Sequence, residues 1–176
     1  MSEEIEPYEL GEYKMLTSHA SQRIREILST CSQIKQDDKH HPEIYVLQHL
    51  FQTFKWAIRE TIDIDLILAA LLHDVGKSID NHNHVQESIK LIEDFSSTKT
   101  LWLVENHMRI WDYILGTMYK LKKCTDLIEN PWLPELVQLA RWDKKARSKG
   151  YIYYSWEDID AILLDKTKRH FKTIGE

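Results

Sequence analysis

The sequence predicts an all-α fold, a single bundle of helices. Three observations carry this. Apolar residues recur three and four positions apart along most of the chain, which places them on one face of a helix. Glycine and proline are scarce, five and four in 176 residues, too few for the many tight turns of a β-rich domain. The one apolar run without such spacing, 64–75, is rich in leucine and alanine, which prefer helix. A chain of this length favours one domain, 1–176, around one core.

The elements follow in order. Residues 1–10 read as frayed or loosely docked. A first helix covers about 12–34, with Met15, Leu16, Ala20, Ile24, Ile27 and Leu28 in helical register. The polar stretch QDDKHHPE (36–43) is a connection, and Pro42 suits a helix start. Residues 44–62 form a strongly amphipathic helix with Val46, Leu50, Phe54 and Ala57 on one stripe. Asp63 is the N-cap of the next segment, 64–75. That segment is apolar almost all round and belongs at the centre, with a buried strand as the alternative. Gly76 is its C-terminal stop. A fourth helix, 81–95, carries Val85, Ile89 and Ile92 in register, and a fifth, 97–115, breaks near Met108. The piece 116–130 is less regular and ends at Asn130-Pro131. A helix over 133–147 is broken by Lys149-Gly150. The last, 155–171, starts at Ser155, with Asp158 three residues on in a capping-box arrangement. There is no internal repeat and no low-complexity segment.

Composition excludes several function classes. A net charge of −5 gives no basic footprint for nucleic acid, and Lys120, Lys122 and Lys123 are too small a patch to supply one. Cys31 and Cys124 lie far apart and outside any CxxC, which argues against a disulfide framework or a thiolate zinc site and fits a reducing compartment. The acidic start MSEEIEPYELGEY has no apolar h-region, and no apolar run reaches membrane-spanning length, so the expected location is cytoplasmic. Oligomeric state is not encoded.

Nine histidines are a rich supply of the commonest side-chain metal ligand. His49, His73, Asp74, His84, His107 and Asp143 fall on the inner sides of the helices, beside Leu50, Leu72, Val85, Met108 and Trp142. A polar group beside a core stripe must be hydrogen-bonded or coordinated, because burying it bare costs roughly 2–7 kcal/mol. Four imidazoles and two carboxylates from five helices are the chemistry of a two-metal hydrolytic or diiron site. Adjacent His73 and Asp74 leave a helix about 100° apart, so both can serve one metal while the carboxylate bridges to a second. Plainer readings stand beside these. His73-Asp74 suits a helix C-terminus, where histidine meets the negative dipole end. His107 suits a helix cap. His82 rivals His84, which is preferred because Ser88, one turn on, leaves room near a metal. His19, His40, His41 and His170 have no such company and read as surface residues. Trp102, Trp111, Trp132 and Trp142 read as core or pocket wall.

The order H…HD…D, carried by His49, His73-Asp74 and Asp143, resembles the HD-domain superfamily of metal-dependent phosphohydrolases. LLHDVGK (71–77) is its most specific string, ENHMR and LARWDKKAR are similar to family segments, and the likeness covers about 44–147. His84 and His107 look like the two further ligands of the binuclear subgroup. The resemblance implies a helical bundle around one or two divalent metals, among Fe, Mn, Co, Ni, Mg and Zn. It also implies a metal-activated water attacking a small phosphorylated substrate, with Asp74 at the catalytic centre. Lys77 and Arg147 would approach the substrate phosphate. A second resemblance competes. HLFQT (49–53) is similar to the His-x-x-Gln-Thr string of the myo-inositol oxygenase branch, and RWDKKA to a segment of HD-type phosphonate oxygenases. That likeness implies a diiron centre, a phosphonate or polyol substrate, and Gln52 as a substrate-side residue.

Overall fold

The computed structural model describes residues 18–118 and 121–174. Among them the regular structure is helical, apart from an isolated antiparallel bridge between Lys35 and Tyr45. In chain order the helices are α1 (Ser18–Cys31), α2 (Val46–Glu60), α3 (Ile64–Leu72), α4 (His84–Ile92), α5 (Thr98–Asn106), α6 (Arg109–Ile114), α7 (Leu121–Ile128), α8 (Leu133–Lys145) and α9 (Trp156–Ile174). The N-terminal segment, with Met15 and Leu16, lies outside the described residues, as do Lys120 and the side chains of Lys122 and Lys123.

The hairpin α2–α3 organises the rest. Val46, Leu50, Phe54 and Ala57 are fully buried, so the stripe expected on α2 is its core face. All nine residues of α3 are buried. This helix packs on α2, α5, α8 and α9, as expected of a segment apolar almost all round. Asp63 Oδ1 accepts from the amides of Asp65 and Leu66, an N-cap worth about 1 kcal/mol. Asp65, also buried, takes hydroxyl hydrogen bonds from Ser97 and Thr100 at the start of α5. The N-termini of α3 and α5 are thereby joined.

At its other end α3 gives way to a single 3-10 turn, Val75–Ser78. Gly76 lies inside that turn and is not the expected left-handed stop; among the described glycines only Gly116 has positive φ. The glycine is required by close approach. A Cβ on Gly76 would stand 2.0 Å from the His84 carbonyl oxygen and 2.5 Å from the Ser88 nitrogen. That contact seats α4 against the turn.

The helix expected over 97–115 is broken at 107–108, between α5 and α6. At the start of α9, Ser155 and Asp158 form the reciprocal capping box: Asp158 N donates to Ser155 Oγ at 3.0 Å and Ser155 N to Asp158 Oδ2 at 3.2 Å. Lys166 of α9 donates to the Ile58 and Thr61 carbonyls, closing the C-terminal end of α2. None of the described helices is long and apolar enough to cross a membrane.

Candidate metal centre

The fold brings six dispersed side chains together. His49 lies on the second turn of α2. His73 caps the C-terminus of α3, and Asp74 follows it. His84 opens α4, His107 caps α5, and Asp143 lies near the end of α8. All six are buried.

The backbone fixes which ring nitrogen faces inward. His73 Nδ1 lies 3.1 Å from the Ala70 carbonyl, His84 Nδ1 3.0 Å from that of Asn81, and His107 Nδ1 2.6 Å from that of Val104. In each case the carbonyl is three residues back. Helix ends and turns leave such carbonyls with a lone pair open to a side-chain donor, although that of Val104 also takes the His107 amide at 3.4 Å. His49 Nδ1 lies 2.9 Å from the Ala146 carbonyl and 2.9 Å from Glu43 Oε1. Carbonyls and carboxylates only accept, so all four rings carry a proton on Nδ1 and turn Nε2 to the centre.

The inward atoms form two adjoining groups. In the first, His49 Nε2 stands 3.3 Å from His73 Nε2 and 2.9 Å from Asp143 Oδ1. In the second, His84 Nε2 and His107 Nε2 each stand 3.3 Å from Asp74 Oδ1. The other Asp74 oxygen, Oδ2, faces the first group, 3.7 Å from His49 Nε2 and 3.6 Å from His73 Nε2. One carboxylate therefore spans both groups, as a bridging ligand would.

The donor set fits a cation. His84 Nε2 and His107 Nε2 are buried without a hydrogen-bond partner, and a buried unpaired nitrogen is costly unless something occupies its lone pair. Burial opposes charge on Asp74, yet the facing His73 and Lys77 and the His107 contact hold it well below the usual carboxylate range. Burial likewise opposes charge on Asp143, and His49 and His73 hold it low. The complement is seen at His49: burial works against its imidazolium, but Asp143 and Glu43 outweigh it and raise its pKa to about 10. Burial dominates at His73, which falls to about 4. Two buried charged carboxylates call for positive charge between them, and a proton and a divalent ion compete for that place.

The centre opens on a cavity of about 390 Å³, a size that suits a small molecule. Asp74, His84 and Asp143 reach it, whereas His49 and His73 are fully shielded. Lys77, Lys144 and Arg147 line it, as do Met108 and Trp111. Lys77 Nζ lies 2.7 Å from both Asp74 Oδ2 and Gln36 Oε1. Arg147 lies 3.6 Å from Asp143 Oδ1 and donates to the His40 carbonyl.

A model of the HD domain matches residues 46–148, more than half of the chain. The chain belongs to the HD-domain family. Its motif residues His49, His73-Asp74 and Asp143 all fall inside the matched range, as do His84 and His107. The HD-domain chain is also similar to the multifunctional CCA protein of Herminiimonas arsenicoxydans, 31% identical over 81 residues, and to that of Janthinobacterium sp. (strain Marseille), 32% identical over 84 residues. These segments take in 42% and 44% of this chain but 20% of each relative, so the likeness is local.

Other expectations meet the geometry differently. His82 is exposed, whereas His84 is buried with its Nε2 3.3 Å from Asp74 Oδ1. Gln52 is not at the cavity of the HD centre. Its amide donates to the Ser148 and Gly150 carbonyls and its oxygen accepts from Ser148 N, so its hydrogen bonds are taken up in holding that loop. His41 was expected on the surface, yet it lines the cavity. Glu43, in the same polar connection, is buried as well, and its only signal in the sequence is its place beside His41, one turn before α2. His170 is half-buried and accepts from Ile64 N at 3.3 Å. It adjoins Asp63 and Asp65. In that group Lys99 pairs with Asp63 and Glu135, and hydroxyls satisfy Asp65, so the acids are already neutralised or bonded.

Proposed function

We propose that the chain is an HD-type metal-dependent phosphohydrolase acting on a nucleotide or another small phosphoester. The observation that carries this is the union of the two-group His/Asp centre with a small cavity bearing three cationic side chains, Lys77, Lys144 and Arg147. His49, His73, Asp74 and Asp143 would hold one divalent ion, and His84, His107 and the bridging Asp74 a second. Bound divalent metal supplies Lewis acidity, an activated water at neutral pH and neutralisation of charge on phosphoryl oxygens.

The chain's own residues do the rest. Arg147 offers a guanidinium to a phosphate while held in place by Asp143 and the His40 carbonyl. Lys77 adds a point charge whose position is set by Asp74 and Gln36. The Nδ1–carbonyl bonds keep the imidazoles from rotating as substrate comes and goes. Met108 and Trp111 provide apolar surface for the non-phosphate part of a substrate.

The test is phosphate release across a panel of nucleoside mono-, di- and triphosphates and simple phosphoesters, with Mn(II), Fe(II), Co(II) or Ni(II) added. Turnover is expected with at least one substrate, and Asp74→Ala should lower it more than about 100-fold, beyond the usual effect of an outer-shell change. No release with any metal sinks the reading.

The runner-up is an HD-type diiron oxygenase, favoured by the full six-residue set and the carboxylate spanning both groups. The loop-holding role of Gln52 removes one support for it. Fe(II)- and substrate-dependent oxygen uptake without phosphate release would put it first.

A further inference from the structure

The cavity holds one more imidazole than the six-residue centre uses. His41 lines it, with its side chain 15% exposed, and its Nδ1 lies 2.9 Å from Glu43 Oε1. The same oxygen lies 2.9 Å from His49 Nδ1. The Glu43 side chain is completely buried, and its second oxygen, Oε2, has no hydrogen-bond partner. One carboxylate oxygen thus accepts from His41 Nδ1 and stands at the same distance from His49 Nδ1, whose proton goes to the Ala146 carbonyl; the two rings meet edge to face with centroids 5.4 Å apart.

These three residues do not make a separate metal site. Both Nδ1 atoms carry protons, because a carboxylate can only accept, and His49 Nδ1 is further occupied by the Ala146 carbonyl. Each Nδ1 faces Glu43, so both Nε2 atoms point away from it. That of His49 goes to the centre, 2.9 Å from Asp143 Oδ1. That of His41 belongs to a ring facing the cavity that Lys77 and Arg147 also line.

The loop is built to hold Glu43 there. Ile44, the next residue, has φ +69, in the left-handed region, and its side chain is exposed. Its amide donates to the His41 carbonyl at 2.9 Å, and its carbonyl accepts from Gln36 N at 2.7 Å. Val46 N donates to the Ile34 carbonyl at 2.9 Å, closing the loop at its base. A β-branched residue adopts this conformation only where its surroundings impose it.

We propose that Glu43 is a shared positioning residue, orienting both His49 of the metal centre and His41 of the cavity wall, and that His41 Nε2 hydrogen-bonds the phosphoryl-bearing ligand rather than a metal. The part concerning His41 rests on the phosphohydrolase reading; the part concerning Glu43 and His49 does not.

The test measures Mn(II) affinity by titration calorimetry, then inorganic phosphate affinity on the Mn(II)-loaded protein. Wild type is compared with Glu43→Gln, Glu43→Asp and His41→Ala, with circular dichroism reporting the fold. Glu43→Gln should weaken Mn(II) binding about 10- to 100-fold, the usual effect of losing a partner behind a ligating histidine. Glu43→Asp retains the charge, withdraws the oxygen, and should weaken Mn(II) binding in the same direction. His41→Ala should leave Mn(II) affinity unchanged and weaken phosphate about tenfold or more. Unchanged Mn(II) affinity in both Glu43 variants overturns the positioning role. Equal losses of Mn(II) and phosphate affinity in His41→Ala overturn the role given to His41. A loaded wild type that binds no phosphate removes the phosphohydrolase reading and His41's part with it, while the Mn(II) titrations still decide Glu43.

Discussion

The amide of Gly76 donates to the Ser88 hydroxyl at 2.8 Å, and that hydroxyl donates onward to the His73 carbonyl at 3.2 Å. The turn that carries His73 and Asp74 is thereby fastened to the helix that carries His84. Gly76→Ala would drive a Cβ into the backbone of α4, where no flexible side chain can give way. It should cost about 1–3 kcal/mol or more in stability and weaken the group containing His84 before the group containing His49. A thermal melt with metal stoichiometry checks both. Ser88→Ala keeps the shape but leaves a buried amide unpaired, and should cost about 1–3 kcal/mol.

The spacing of the inward atoms predicts how metal loading divides. His84→Ala and His107→Ala each remove a donor from the group on Asp74 Oδ1, and each should lower metal content while the ion beside His49, His73 and Asp143 is retained. His49→Ala should act on that other ion. Asp74→Ala touches both groups and should strip both. Elemental analysis after identical loading decides this, and equal loss in every variant would contradict a two-group centre.

How much of this was readable beforehand differs by residue. His73-Asp74 follows an apolar segment that can only be central, and His49 and Asp143 sit beside Leu50 and Trp142, both fully buried, so local pattern places them inward; Val85 beside His84 is only partly buried and Met108 beside His107 is exposed, so for those two the local pattern left the plainer readings open. Helix propensity and capping gave α2, α3 and α9 nearly as they stand. His41 and Glu43 lie in a polar connection with no periodicity. Their inward placement depends on the bridge between Lys35 and Tyr45 and on the left-handed backbone of Ile44, which are tertiary events. Gln52 shares a string with one family branch, but its side-chain partners lie about a hundred positions away in the chain. At Gly76 the sequence signal of a helix stop and that of close approach to α4 are the same, and the structure shows the second.

Asp65 gives a stability signature in pH. Burial raises its carboxyl pKa first of all, the Ser97 hydrogen bond lowers it, and repulsion by Asp63 raises it again, leaving it above the ordinary value. Above about pH 4, where the unfolded carboxyl loses its proton, the folded form still holds one. The folded state then binds more protons than the unfolded, so this group's contribution to stability falls as pH rises through the folded pKa. Asp65→Asn keeps an oxygen for Ser97 and Thr100 and removes the titration. The melting temperature of the variant relative to wild type should therefore climb as pH rises above about 4. A difference that stays flat across this range would show that Asp65 does not titrate in this way.

Ile44 offers the last test. Its side chain is 42% exposed, so it is only partly covered, while its φ of +69 places a β-branched residue where glycine is most comfortable. Such a conformation costs of order 1–3 kcal/mol. Ile44→Gly relieves it and loses part of the gain to the greater freedom of the unfolded chain, about 0.5–1 kcal/mol. The net expectation is a protein more stable by about 1 kcal/mol, seen as a higher denaturation midpoint at unchanged slope. Ile44→Pro is the opposing control, because proline cannot adopt positive φ and lacks the amide that Ile44 donates to His41. It should destabilise the loop and, through displacement of Glu43, weaken metal binding at His49. If Ile44→Gly is instead less stable than wild type, the left-handed turn is not the strained element of this loop.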